Sequence, residues 1–220
     1  MVVYTGARTR AQVVDFAKVL LDEKGSLYFT DANLATLADQ ANRMVWRLVI
    51  DSNPEHFLTS KSFTWASGVE AQTVTTLTDN STVPYRILTL EDYESSGGVS
   101  NSNLPRKWAA MAFSDRSKRL QGNSHLVGSR STPRYYVLQG AKLYTAPLPD
   151  RALNVTMYYI EHLPTMAGDS TEVLGGLATE FHDAVGYCLA WMMNAKQNNQ
   201  NPAIDNMWEM AKLQIKEHGY

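Results

Sequence analysis

The hydrophobic period of this chain changes twice, and that change limits the possible folds more than any other feature. Toward the N-terminus apolar residues recur every three or four positions. From His56 the recurrence shortens to two, and near Val173 the longer spacing returns. Flanks patterned like helices around a centre patterned like strands bury helix faces at the ends and sheet faces in the middle. The expected fold class is therefore α+β. A helical bundle, built from an N-terminal helix pair and C-terminal helices, is interrupted by an antiparallel β-sheet domain. The expected bounds are 1–55 and 165–220 for the bundle and 56–164 for the inserted β domain. A chain of 220 residues can bury a sizeable core without cross-links. Cys188 is the only cysteine, so no intramolecular disulfide is available.

The helix ends carry readable signals. Thr9 with Gln12 three residues on forms a capping box, Val13, Phe16, Ala17, Leu20 and Leu21 share a face, and Gly25 supplies a left-handed stop. Thr30 opens a second helix with Asp31 at its start. Its apolar face runs through Leu34, Leu37, Ala38, Ala41, Met44, Val45 and Leu48, and Asn53-Pro54 ends it. Helix resumes around Val173, with Leu177, Phe181, Ala184, Val185, Cys188, Leu189 and Met192 on one face. Gly186 within it implies that a neighbouring helix comes close. Asn201 caps a last helix with Pro202 at its first position.

In the centre, Phe57, Thr59, Lys61, Phe63 and Trp65 alternate until Gly68. Val74–Thr78 and Tyr85–Leu90 are further strand candidates. Arg106–Gln121 reads equally as helix or as a strand with a basic loop. Tyr135–Gln139, Leu143–Thr145 and Leu153–Ile160 form a meander that turns at Gly140-Ala141 and at Pro149-Asp150.

No phosphate-cradling glycine loop, nucleophile elbow or His-pair metal motif is present. Glu180, His182 and Asp183 are adjacent, but Glu180 and His182 point apart on a helix, so they read as a polar face. Cys188 reads as a packed core thiol, and Glu91 with Asp92 as the solvated end of a strand. The expectation is no enzyme, no catalytic residues, no metal and no cofactor. No apolar run is long enough to span a membrane, and the N-terminus has no signal-peptide core, so a soluble protein made in the cytoplasm is expected.

The formal charge of −2 hides an uneven distribution. Residues 101–145 carry eight basic groups and one acid, and residues 146–220 carry four basic groups and nine acids. Arg116, Lys118 and Arg119 stand at the centre of the basic stretch, marking a contact with a polyanion or an acidic partner. On the last helix Ile204, Met207, Trp208, Ala211 and Ile215 make an apolar stripe. That stripe either completes the bundle or docks into a partner's groove. Tyr85, Tyr135, Tyr136, Tyr144, Tyr158 and Tyr159 leave open a glycan- or receptor-binding module.

The meander residues resemble a known pattern. Pro133-Arg134-Tyr135-Tyr136-Val137-Leu138-Gln139-Gly140 is followed by Leu143-Tyr144-Thr145-Ala146-Pro147-Leu148-Pro149-Asp150. Tyr158-Tyr159-Ile160-Glu161-His162-Leu163-Pro164 closes it. This run resembles the signature stretch of bacteriophage head-to-tail adaptor (neck or connector) proteins. Asp39-Gln40-Ala41-Asn42 on the second helix and the helix–sheet–helix order resemble the family too. Leu90 stands where such proteins often carry a proline, which keeps other neck and tail-completion proteins as an alternative.

The resemblance implies a structural virion protein of the neck, assembled in the host cytoplasm. It implies a homo-oligomeric ring, a dodecamer, lying beneath the portal protein and linking it to tail or nozzle proteins. Non-specific contact with packaged DNA and no membrane contact complete the expected partners. The C-terminal stripe at Ile204, Met207, Trp208, Ala211 and Ile215 is then the expected portal interface.

Overall fold

The computed structural model describes residues 6–22, 28–78, 81–92, 105–115, 135–197 and 201–218. The chain divides into two compact units, Met1–Phe57 with Leu163–Tyr220, and Leu58–His162.

The first unit holds four α-helices among its described residues. Helix α1 spans Arg10–Leu20. The Thr9 hydroxyl accepts from the Gln12 amide while the Gln12 side chain accepts from the Thr9 amide at 2.9 Å, closing the capping box. Helix α2 spans Asp31–Ser52, capped by the Thr30 hydroxyl, and it buries Leu34, Leu37, Ala38, Ala41 and Val45. Trp46, Val49 and Ile50 are buried too, which widens the apolar face beyond the stripe read from spacing. Gly25 lies outside the described residues.

The C-terminal half departs from expectation at its entrance. Val173–Gly176 and Thr179–Phe181 are 3-10 turns, and the α-helix starts only at His182. Leu174, Gly175, Gly176 and Ala178 all take positive φ, so the backbone cannot run on as a right-handed helix. Leu177, placed on the apolar face by spacing, is 51% exposed. Helix α3, His182–Lys196, is the most buried of the four and packs against α1 and α2. Helix α4, Pro202–Glu217, begins at the Asn201 cap, whose side chain accepts from the Ala203 amide at 3.1 Å. It packs on α3 and α2.

The described residues of the second unit form one curled seven-stranded sheet. Strands β1 (Leu58–Trp65), β2 (Ala71–Thr73), β3 (Arg86–Asp92), β4 (Arg106–Ala110), β5 (Tyr135–Gln139), β6 (Lys142–Ala146) and β7 (Leu153–Ile160) lie in the order β1-β7-β3-β4-β5-β6-β2. Leu58 to Trp65 pairs residue for residue with Ile160 to Leu153. The β5–β6 hairpin reverses at Gly140, whose φ of 58° suits a residue without Cβ.

These strands correct the expected fold class. The protein is α+β, but it is not a helical bundle interrupted by an antiparallel sheet domain. The sheet is a large unit in its own right, and it is mixed, because β4 runs parallel to β5. Alternation marks a strand's buried face but not its direction, and the long connection from β4 to β5 permits the parallel return. The Val74–Thr78 candidate is displaced as well: Ala71–Thr73 is the strand, and Val74–Thr76 is a 3-10 turn whose Val74 is buried in the sheet core. Trp65, Trp108, Leu90, Tyr136, Leu143, Val155, Met157 and Tyr159 fill that core, with the two indoles 5.7 Å apart.

Candidate functional site

Four of the five stripe residues on α4 face inward. Ile204, Trp208, Ala211 and Ile215 are all buried, and Trp208 stacks on Trp191 of α3 with ring centroids 6.3 Å apart. The Lys212 ammonium lies 5.6 Å from the Trp208 ring centroid, and it also binds Glu209 at 2.6 Å. Met207 alone of the five is exposed, at 41%.

Met207 belongs to a different stripe. Met210 and Leu213 follow it at three-residue intervals and are exposed at 58% and 50%. Each three-residue step turns back by about 60° round a helix, so Met207 borders the buried 204–208–211–215 line while Met210 and Leu213 lie on the side away from it. Helix α4 thus carries two apolar stripes, one locked against α3 and α2 and one open. The second is legible as Met-x-x-Met-x-x-Leu, but the stronger inner stripe hides it. Unbranched methionine side chains adapt to irregular partner surfaces.

The basic candidates Arg116, Lys118 and Arg119 lie outside the described residues. Just ahead of them, Lys107 on β4 extends into solvent, its ammonium 3.9 Å from the Glu91 carboxylate. Glu91 and Asp92 are not a solvated strand end. Glu91 is 7% exposed and Asp92 0%, because β4 and β7 flank β3 there. Asp92 accepts a hydrogen bond from the Trp108 indole at 3.2 Å.

The polar run on the C-terminal flank is divided between two partner residues, His56 and Arg8. Glu180 meets His56 at 3.3 Å, Asp183 binds the Arg8 guanidinium at 2.6 Å, and His182 accepts from the Arg8 amide at 2.8 Å. His56, Glu180, Phe181, Gln214 and His218 line a cavity of about 280 Å³. Among the described residues no group of three His, Cys, Asp or Glu side chains is placed to hold a metal ion. The tyrosines do not form an open platform: Tyr85 is exposed, Tyr135, Tyr144 and Tyr158 are half-buried, and Tyr136 and Tyr159 are buried.

Cys188 is fully buried, its sulfur 3.8 Å from that of Met44, and burial pushes its thiol pKa up to about 12. A thiolate is the reactive form, so Cys188 is inert in the folded chain. Ellman's reagent should leave the native protein unmodified at neutral pH and react with one thiol per chain in denaturant. Rapid labelling without unfolding would contradict this packing.

No helix among the described residues is long and apolar enough to cross a membrane. A family model described as SU10 adaptor protein matches residues 8–216. No curated protein matches the chain.

Proposed function

Given that the chain belongs to the SU10 adaptor protein family, a family of phage head-to-tail adaptors, we propose that it forms a closed ring in the virion neck, between portal and tail. The observation that carries this reading is the extent of the match, which takes in the helical and the sheet segments alike. The ring is a dodecamer that seats beneath the portal and receives tail or nozzle proteins. A ring contact is heterologous, so each copy presents two different complementary faces. The role is structural, with no catalytic step. Arg116, Lys118 and Arg119 then meet packaged DNA or an acidic neighbour.

The portal contact lies on α4. The inner residues Ile204, Trp208, Ala211 and Ile215 set the helix in place, and the outer stripe of Met207, Met210 and Leu213 meets the portal. What supports this division is the exposure of the outer stripe on a helix whose inner stripe already packs in its own unit.

Native mass measurement of the protein mixed with purified portal rings tests the whole reading. The expected product is one portal ring carrying a full complement of copies. A mass equal to the sum of separate species would overturn it. Met210→Asp combined with Leu213→Asp should leave the chain folded and lower portal affinity at least tenfold, about 1.4 kcal/mol. Unchanged binding by the folded double variant would move the contact off this stripe.

A further inference from the structure

A buried polar corner around His182 joins the segment that precedes α1 to the entrance of α3. The segment 8–11 lies against 169–173 in a short backbone clasp. The Arg10 amide donates to the Thr171 carbonyl at 2.8 Å, the Val173 amide to the Arg8 carbonyl at 2.9 Å, and the Ala11 amide to the Asp169 carbonyl at 3.1 Å. Arg10 strengthens the clasp by reaching Asp169 at 2.7 Å. This clasp leads directly into α1, which packs on α3 with Phe16 pressed over Gly186.

His182 closes the clasp from beneath, and both ring nitrogens are committed. Nδ1 accepts the Arg8 backbone N–H at 2.8 Å, while Nε2 stands 2.9 Å from the Leu177 carbonyl oxygen. A carbonyl accepts only, so Nε2 carries the ring proton and Nδ1 carries the lone pair. The ring is 1% exposed, so water offers no substitute partner. A second proton would set Nδ1–H against the Arg8 N–H, donor facing donor. Leu177, the other partner, sits between Leu174 and Gly176 on one side and Ala178 on the other. Leu174, Gly176 and Ala178 all take left-handed backbone conformations, at φ of 54°, 76° and 51°. Leu174 and Ala178 are strained there and need surrounding contacts to hold them.

We infer that His182 is an acid-released latch: in its neutral form it ties residues 8–11 and the strained 174–178 segment to α3, and protonation frees α1 from the helical unit. The charged groups acting on the ring are the carboxylates of Glu172, Glu180 and Asp183, the last of them paired with the Arg8 guanidinium. Burial lowers the imidazole pKa from its ordinary value, and the hydrogen bond to the Leu177 carbonyl and the three carboxylates, which favour the cation, do not offset it. The sign follows. A folded-state pKa below the unfolded one means that the open state takes up the proton first. The latch is therefore whole above the ordinary histidine range and loosens as pH falls through it.

Hydrogen exchange of the full-length wild type, compared at about pH 8 and about pH 5 and corrected for intrinsic rates, tests the inference. Peptides over 10–20 and 169–177 should exchange several-fold to about tenfold faster in acid, the equilibrium equivalent of one lost buried hydrogen bond. Peptides from β7 should not change. His182→Asn keeps an acceptor oxygen near the Nδ1 position without a titrating group, so its α1 peptides should show no such acid response. Nitrogen NMR of the wild-type ring gives an independent reading that needs no variant. It should show the neutral proton on Nε2, and protonation should coincide with loss of α1 protection. Equal protection of α1 at both pH values, an unchanged acid response in His182→Asn, or a neutral ring protonated on Nδ1 would each overturn the latch.

Discussion

Trp208→Ala should lower the unfolding free energy by about 3–5 kcal/mol, the range for removing a large aromatic from a core. Trp208 is 2% exposed and stacks on Trp191, and the Lys212 ammonium lies by its ring. Its loss leaves a cavity bordered by α3, the most buried helix of the unit, which has little freedom to collapse inward. Urea unfolding followed by far-ultraviolet circular dichroism measures the change, with Met210→Asp as the companion variant on the outer stripe. The companion should stay within about 0.5 kcal/mol of wild type. A Trp208→Ala loss no larger than that of Met210→Asp would mean that α4 contributes little to the unit's core. The contrast also bears on truncation. Deleting residues 203–220 removes core and surface together, so loss of portal binding by such a fragment would not separate the two, whereas the point substitutions do.

Gly186→Val should cost about 1–3 kcal/mol by overpacking, and the cost should pass through a single neighbour. A Cβ at position 186 would collide with the Phe16 ring, which is held edge-on to Tyr187 at 5.3 Å and lies beneath the Arg8 guanidinium. An aromatic ring fixed on two sides cannot swing away cheaply. Phe16→Ala alone removes packing between α1 and α3, but combined with Gly186→Val it also removes the collision. The double variant should therefore be more stable than the sum of the two single losses predicts, by about 0.5–3 kcal/mol. Strict additivity in the unfolding curves would show that some other atom meets the new side chain.

Much of the helical architecture was legible because helix ends are local. Thr9 with Gln12, Thr30 and Asn201 satisfy backbone groups within three residues of themselves, and each starts a helix as expected. Gly186 was legible as a close approach because a glycine inside a buried helix face needs a neighbour to explain it. The meander was equally local: Gly140 makes the reversal, and β7 runs over the expected Leu153–Ile160. The adaptor resemblance rested on those same residues, and the family match covers them. The helix expected from Val173 was not legible correctly, since apolar spacing continues through Leu174 and Leu177 while their backbone turns left-handed around Gly175-Gly176.

What the sequence alone determined, then, are the elements whose stabilising partners lie within one turn: capped helix starts, a glycine reversal and alternating strand faces. Tertiary structure decided everything that depends on a distant partner. It set β4 parallel to β5, which no periodicity encodes. It buried Asp92 by flanking its strand on both sides, where spacing suggested an open end. On α4 it chose which apolar stripe faces inward and which stays exposed. It also joined Arg8 to His182 across 174 positions of chain. The physical reason is the range of the forces involved. Backbone capping and side-chain alternation act between near neighbours, whereas burial and hydrogen bonding of a lone polar group are fixed only when remote segments meet.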